Sequence, residues 1–599
     1  MAMIAGASAC AVAETAPPVT VTVTGRVREV NGVDQVPRGL FGVHAMNGLT
    51  DAMAAEWGIE SVRTIEVDPS GQPRRPGTGQ GHGFIPEATD HVVECWYDRF
   101  RPALQLTDPE SWEQSLRERA ARWAAGVESL PYDIALEFWN EPYLNWAGNP
   151  GSNFDGRFYT REGEVVLRQG VVQPTLQWTT RLAAFDPANG RVDYVATRYM
   201  PKGTVAGQTF TWRKLQWEAR EVPWVFDTQQ PVSWWSGPYN RGLYHEMVSV
   251  VGPAMKEANP DARLVVGWGF HLFQDRWKAW DLLHRPLIDH AITWIDGYNE
   301  HHYGGDTRAV AGSYEVAYAY ALAAHGKRLA FYNTEAGGFL DPERPGSGAA
   351  TGPDGKDKAV REQQGTAYML RDVIHLLDVC PDKAVARAAH MPDVYGGKEA
   401  FKLLKPLRGT LMEAVSGSPD VWVVASAHDG ELVVAAYNDT TTPRDVQLVG
   451  AGAACDDPVR TIAPRSATVW RTTLEGDLAA RARAVTTQYV ADRARQDIAP
   501  GTTLQLTVAL PAAALTEATQ ARIKLVQAPW SRPKGEAWRA TLNGREVALQ
   551  LPHAGGWIAW TGMDVTDLRE VNTFEFACDA DAPHPAAVDA LSIELIRHE

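Results

Sequence analysis

Short apolar runs and longer amphipathic stretches take turns along the first two thirds of the chain. The runs at 39–44, 61–67, 134–139, 264–268, 295–298, 329–333 and 385–390 have the length and apolar content of buried strands. Between them, 49–57, 111–125, 244–258, 310–325 and 360–377 repeat apolar residues at helical spacing. Strand and helix in alternation is the mark of parallel βα units. It predicts an α/β protein whose main unit is a (β/α)8 TIM barrel. Predicted strands end in His44, Asn140-Glu141, His301-His302-Tyr303 and Glu335. A barrel builds its active site at the C-terminal ends of its strands.

The alternation Val-Thr-Val-Thr-Val at 19–23 reads as an exposed or edge strand. From 143 to 240 the strand–helix rhythm breaks, and the stretch holds seven tryptophans, among them Trp146, Trp234 and Trp235. Its length exceeds that of an ordinary βα loop, which suits a wall or lid beside a site. A second excursion, 341–358, is rich in Gly, Pro and Asp. After Pro406 the texture becomes all-β, with alternating runs and turn signals such as His428-Asp429-Gly430. The expected division is a leader at 1–18, the catalytic barrel at 19–405, a small antiparallel β-sandwich at 406–474, and a second one at 484–599. The last could be a carbohydrate-binding module or a brace.

The leader is small and apolar, and Ala11-Val12-Ala13 suits a signal-peptidase site, so export is expected. A positive n-region is missing, and lipidation at Cys10 is the alternative. Beyond the leader no run of about 18 apolar residues occurs, which excludes a helical transmembrane enzyme. With 57 basic and 73 acidic residues the net charge is −16, which disfavours a nucleic-acid partner. Five cysteines in 599 residues make no disulfide framework and form no zinc motif. The 22 tryptophans suit a protein that lays flat rings against a ligand, or simply a large core.

Two segments carry the chemistry. Ile134-Ala135-Leu136-Glu137-Phe138-Trp139-Asn140-Glu141-Pro142 is an apolar strand ending in a carboxylate, with a proline that stops the ladder. Leu329-Ala330-Phe331-Tyr332-Asn333-Thr334-Glu335-Ala336-Gly337-Gly338 ends the same way, with glycines that permit a sharp turn. Two carboxylates facing each other across a barrel mouth are what glycosidic cleavage needs: one protonates the leaving oxygen, the other attacks or activates water. Glu137, inside its strand, reads as an ion-pair partner. Glu300-His301-His302 invites a metal reading, but no H-E-x-x-H is present, and neither metal nor cofactor is expected. Trp139 and Trp146 flank Glu141 and are stacking candidates, followed by Trp234 and Trp235; His44 and His271 are pocket candidates. Arg198, Lys202, Arg213 and Lys214 could meet a sulfate despite the overall acidity.

Asn140-Glu141-Pro142 at a fourth strand, with Glu335 at a seventh, resembles the clan A retaining glycoside hydrolases. That resemblance implies Glu141 as acid/base, Glu335 as nucleophile, and Asn140 beside the scissile bond. It also implies Arg63 on strand two and His302 or Tyr303 on strand six near the nucleophile. The barrel with two trailing sandwiches and a Trp-rich excursion is most similar to the family 86 agarases and porphyranases, and family 39, with a Gly-Phe-type first strand and a trailing sandwich, comes second; Leu40-Phe41-Gly42-Val43-His44 suits either. The first implies internal cleavage of a red-algal galactan. The second implies an exo-acting, xylosidase-type enzyme. A non-catalytic carbohydrate-binding protein on a decayed barrel is the alternative from another class. In each case the partner is a polysaccharide or oligosaccharide.

Overall fold

The computed structural model describes residues 17–65, 73–96, 109–142, 238–337 and 356–599, apart from 45, 47, 79–82, 275, 304–306, 391, 393–395, 452–454, 456, 534–537 and 554, together with five short strands between 157 and 211. Trp146, Trp234, Trp235, the leader to residue 16 and the four basic residues of the excursion lie outside the described residues.

Eight parallel strands close a barrel: Gly42–His44, Ser61–Ile65, His91–Trp96, Asp133–Phe138, Arg263–Val266, Gly297–Tyr303, Ala330–Gly337 and Ala384–His390, barrel strands one to eight in chain order. The hydrophobic pattern yields seven of these and misses the third. In that strand His91 and Glu94 interrupt the apolar run, yet both are buried. Glu94 is satisfied by the Trp123 indole N–H at 2.8 Å and by the Arg74 backbone N–H at 3.1 Å. Helices such as Asp51–Trp57, Pro109–Ala125, Pro238–Ala258, Thr307–His325 and Lys356–Val379 follow the strands and cover the barrel. The pleat of strand four shows the division. Ile134, Leu136 and Phe138 face the helices, while Ala135 joins Val93, Val265, Tyr332 and Ala386 in an apolar layer inside the barrel.

The β-rich part is organised around one eleven-stranded sheet. Its path runs through Val421–His428, Thr410–Ser416, Val19–Val30, Arg483–Val490 and Ala590–His598. The strand expected at an edge is therefore central. Val19–Val30 pairs antiparallel with Thr410–Ser416 and parallel with Arg444–Gly450 and Arg483–Val490, and Val21, Val23 and Val27 are buried. The first strand of the chain stitches the two β-units together, and the parallel pairings depart from a purely antiparallel plan. A four-stranded sheet of Thr503–Ala509, Val571–Cys578, Trp538–Leu542 and Arg545–Glu546 closes the C-terminal unit over Leu506, Phe574, Phe576 and Ile593.

The β-units share the barrel's core. Trp422, Tyr437, Val526 and Trp557 belong to the same buried cluster as Val373 and Leu377 of helix Lys356–Val379. Glu315 of helix Thr307–His325 pairs with Lys383 at 3.1 Å and with Lys524 of the C-terminal unit at 2.9 Å. Among the described residues Cys95, Cys380, Cys455 and Cys578 are free thiols; Cys455 is half-exposed and the other three are buried. No helix of the described residues is long and apolar enough to cross a membrane.

Candidate active site

Glu141 lies just past barrel strand four and Glu335 on strand seven, so both sit at the C-terminal mouth. One carboxylate oxygen of Glu141 is within 4.8 Å of one of Glu335. The backbone is arranged to allow this. Trp139 and Glu141 both have positive φ, 77° and 44°, in the left-handed region that non-glycine residues rarely adopt. Gly269, just past strand five, has φ +70°, and a Cβ there would lie 3.2 Å from the Glu141 Cα, so only glycine lets this chain pass against Glu141 without strain. On strand seven the register slips between Asn333 and Ala336, and on its other side His301 pairs with Glu335 directly after Glu300 pairs with Asn333. Thr334 is the extra residue of this bulge. Both Thr334 and Glu335 consequently reach the barrel interior, where an unbroken pleat would send one of them outward.

Arg63 of strand two organises the floor. It is buried, and its guanidinium donates to Glu137 at 2.5 and 3.0 Å, to Glu335 at 2.7 Å and to the Asn140 side-chain oxygen at 2.8 Å. Glu137 is thus the ion-pair partner expected from its place within the strand. It also accepts from the Thr334 hydroxyl at 2.9 Å and from the Asn299 amide. His44 of strand one lies 3.1 Å from Glu335, and His390 of strand eight lies 3.8 Å from it and stacks on His44. The Tyr303 hydroxyl donates to the second Glu335 oxygen.

Strand six alternates in the same way. Asn299, His301 and Tyr303 point inward, while Tyr298, Glu300 and His302 point away. This corrects one expectation: His302 does not reach the carboxylates, and its ring stacks on His271 with centroids 4.1 Å apart. His271 is drawn into that stack and away from the pair. The inward histidine is His301, 2.8 Å from Glu141 and 3.6 Å from Glu335. Period-2 parity, counted from Tyr303, would have found it. Trp139 is also corrected. It is buried and edge-on to Phe138, with ring centroids 5.9 Å apart, so it offers no exposed face for stacking; its positive φ ends the pleat of strand four. His390 carried no sequence signal beyond its place at a strand end.

The two carboxyl groups sit in opposite fields. Burial pushes Glu141 up, and the charge of Glu335 adds to that rise; His301 and Arg63 oppose it only partly. Burial would raise Glu335 too, but His301, His44 and Arg63 outweigh it and hold Glu335 well below the usual carboxylate range. Burial also drives His44 down to about 3, so near neutral pH it meets Glu335 as a neutral N–H donor. The charges on Glu335 are then those of Arg63 and His301, whose ring burial would lower but the two carboxylates raise. At neutral pH one carboxyl is biased to keep a proton and the other to be ionised.

His44, Glu335 and His390, like Glu141, His301 and Glu335, bring ligand-type atoms within 4.8 Å of one another. The Arg63 guanidinium donates to one Glu335 oxygen and the Tyr303 hydroxyl to the other, so a cation at either cluster would face the guanidinium charge across the same carboxylate. The arrangement suits proton transfer and nucleophilic attack rather than ion binding.

No family model matches the sequence, and no curated protein matches it in sequence. Solved structures do match in fold. A β-porphyranase of glycoside hydrolase family 86 from the human gut bacterium Bacteroides plebeius superposes with a TM-score of 0.60 at 12% identity, over 97% of this chain and 100% of that one. A wild-type family 86 protein crystallised with neoagarooctaose gives 0.58 at 12% identity, over 97% and 99%. At this identity the likeness is one of fold: the chain has the barrel and trailing β-sandwich architecture of family 86 and, in fold, is like that group of the clan A glycoside hydrolases.

Proposed function

We propose that the protein is a retaining glycoside hydrolase that cleaves a polysaccharide internally, a red-algal galactan such as agarose or porphyran. The observation that carries the reading is the carboxyl pair, with oxygens within 4.8 Å and opposite protonation biases. Retaining enzymes place their carboxyl groups about 5–5.5 Å apart, whereas inverting ones leave roughly 6.5–9.5 Å for a water. Glu335 attacks the anomeric carbon as the glycosidic C–O bond breaks, and Glu141 gives its proton to the leaving oxygen. Water then attacks the glycosyl ester, Glu141 takes a proton from it, and the bond to Glu335 breaks. Asn140, whose side-chain oxygen accepts from Arg63, bonds a sugar hydroxyl beside the scissile linkage in this reading. The galactan substrate is supported by the full-length fold likeness to the porphyranase and to the protein bound to neoagarooctaose. The apolar leader supports export, since a polymer is met outside the cell.

The test is reducing-end release by wild-type and Glu335→Gln protein on agarose, porphyran, carrageenan, xylan and β-glucan, with products sized by mass. Oligosaccharides from one galactan, lost in the variant, are expected. Monosaccharide release would overturn internal cleavage, and activity surviving in the variant would overturn the role of Glu335.

A further inference from the structure

A groove of about 910 Å³ lies between helix Lys356–Val379 and the eleven-stranded sheet, and neither member of the carboxyl pair lines it. Its volume falls in the roughly 300–1,000 Å³ range of ligand sites. Strand pairing builds the floor. Arg28 pairs with Ala484, Thr486 with Ile596 and Arg522 with Glu594, and Lys524, the next residue on that face, pairs with Trp560 of strand Ile558–Met563. Paired residues share a face, so Arg28, Arg522 and Trp560 all look toward the helix. Asp378, in the last turn of that helix, lines the groove opposite them. A helix that follows a barrel strand starts at the mouth and runs back, which puts Asp378 toward the end of the barrel away from Glu141 and Glu335.

The groove holds an ion pair that does not close. Arg28 is committed to the Leu377 and Asp378 carbonyls, at 3.2 and 2.6 Å. Arg522 gives its Nε–H to Glu594 at 2.5 Å and lies 5.2 Å from the centre of the Trp560 ring, while its terminal nitrogens donate to no described residue. The Asp378 carboxylate accepts from no described residue either, and Arg28 and Arg522 reach it only through their charge. Burial pushes its carboxyl up to about 6, so near neutral pH its ionised form costs the fold stability. A carboxylate kept at such a cost points to a use outside the fold. A ligand filling the gap has to accept from a guanidinium and donate to a carboxylate at once. A small anion would meet Asp378 and Glu413, and a cation would meet Arg28, Arg308 and Arg522. Adjacent hydroxyls on a sugar ring serve both groups without a charge, and the ring carbons suit half-buried Trp560 and exposed Leu551.

We propose that this groove is a second, non-catalytic glycan site, in which a neutral oligosaccharide segment places one hydroxyl on Asp378, the adjacent one on Arg522, and its ring carbons against Trp560 and Leu551. The site is separate from the barrel mouth and does no cleavage. A segment held there keeps the rest of the same polymer close to the mouth and raises its effective concentration.

The test is calorimetric titration of the full-length Glu335→Gln protein, in which the probes stay uncut, with neoagarooctaose, xylohexaose and cellohexaose. For at least one of them a binding event is expected that Asp378→Ala, added to Glu335→Gln, weakens by about ten- to a hundredfold, the worth of one hydrogen bond to a charged group. Asp378→Asn keeps an acceptor and should fall between the two. Asp378→Ala should melt no lower than its parent, because the carboxylate it removes is one that burial disfavours, so the loss of binding cannot be put down to unfolding. Affinities for every probe that are unchanged by Asp378→Ala would overturn the proposal, and so would a protein that binds none of the three. A binding event that depends on Asp378 in a protein whose wild type cuts no glycan would keep the second site and remove the cleavage reading, so the two fail separately.

Discussion

Replacing Arg63 by methionine keeps most of the buried volume and deletes the guanidinium. The expected loss has two parts. At Glu335 one charge-assisted bond of 2.7 Å disappears, worth about 1.5–3 kcal/mol, or roughly one to two pH units in the Glu335 pKa. At Glu137 the bonds of 2.5 and 3.0 Å go, leaving a fully buried carboxylate without its ion partner, a cost on the order of 3–5 kcal/mol in stability. The sign follows from which form Arg63 favours. It stabilises ionised Glu335, whose folded pKa is depressed, so removing it raises that pKa toward the usual range. The assay is the pH profile of kcat/KM, in which the acid limb reports protonation of the nucleophile. That limb should move up by about one to two units in Arg63→Met, and Arg63→Lys, unable to serve Glu137, Glu335 and Asn140 at once, should fall between. An acid limb unchanged in Arg63→Met would refute the argument that Arg63 ionises Glu335.

Glu141→Gln should lower kcat on a glycan by about 10²–10⁴-fold; with a dinitrophenyl leaving group, which needs no proton, the first step should recover, and burst kinetics would check it. Tyr303→Phe removes the hydroxyl that donates to Glu335; about a tenfold fall in kcat/KM with an unchanged fold by circular dichroism is expected, near the value of one such bond. His284 is buried and hydrogen-bonded to the Tyr298 hydroxyl at 2.8 Å, and burial pushes its pKa down to about 3. Its folded pKa lies below the unfolded one, so its share of stability is complete above about pH 6.5 and is lost as pH falls toward 3, at up to about 1.4 kcal/mol per pH unit. Urea titrations of wild type and His284→Phe between pH 7 and 4 should show the shallower pH dependence in the variant.

The barrel and the carboxyl pair were legible because each rests on a local pattern: strand–helix alternation and strands that end in Glu. What was missed depends on geometry that sequence encodes weakly. Barrel strand three hid behind Glu94 and His91, whose burial is licensed by partners far along the chain, Trp123 and Asp133. His301 rather than His302 follows from parity along strand six, and that rule was available. Trp139 is buried where a stacking residue needs an open face, and the positive φ that breaks the pleat there is not written in the alternation of the strand. The bulge at Thr334 leaves no trace in composition, yet it is why Thr334 and Glu335 both face inward. The central place of Val19–Val30 is a matter of long-range pairing. Alternation of Val and Thr describes a strand with one buried face, and says nothing of how many neighbours it has.

The central claim is double displacement through Glu335 and Glu141. Proton NMR of a digest, followed from the first minutes before mutarotation, reads the anomeric configuration of the newly formed reducing end. The account predicts the configuration of the cleaved linkage; the opposite anomer appearing first would contradict it, because carboxylate oxygens within 4.8 Å leave no place for the water that inversion requires.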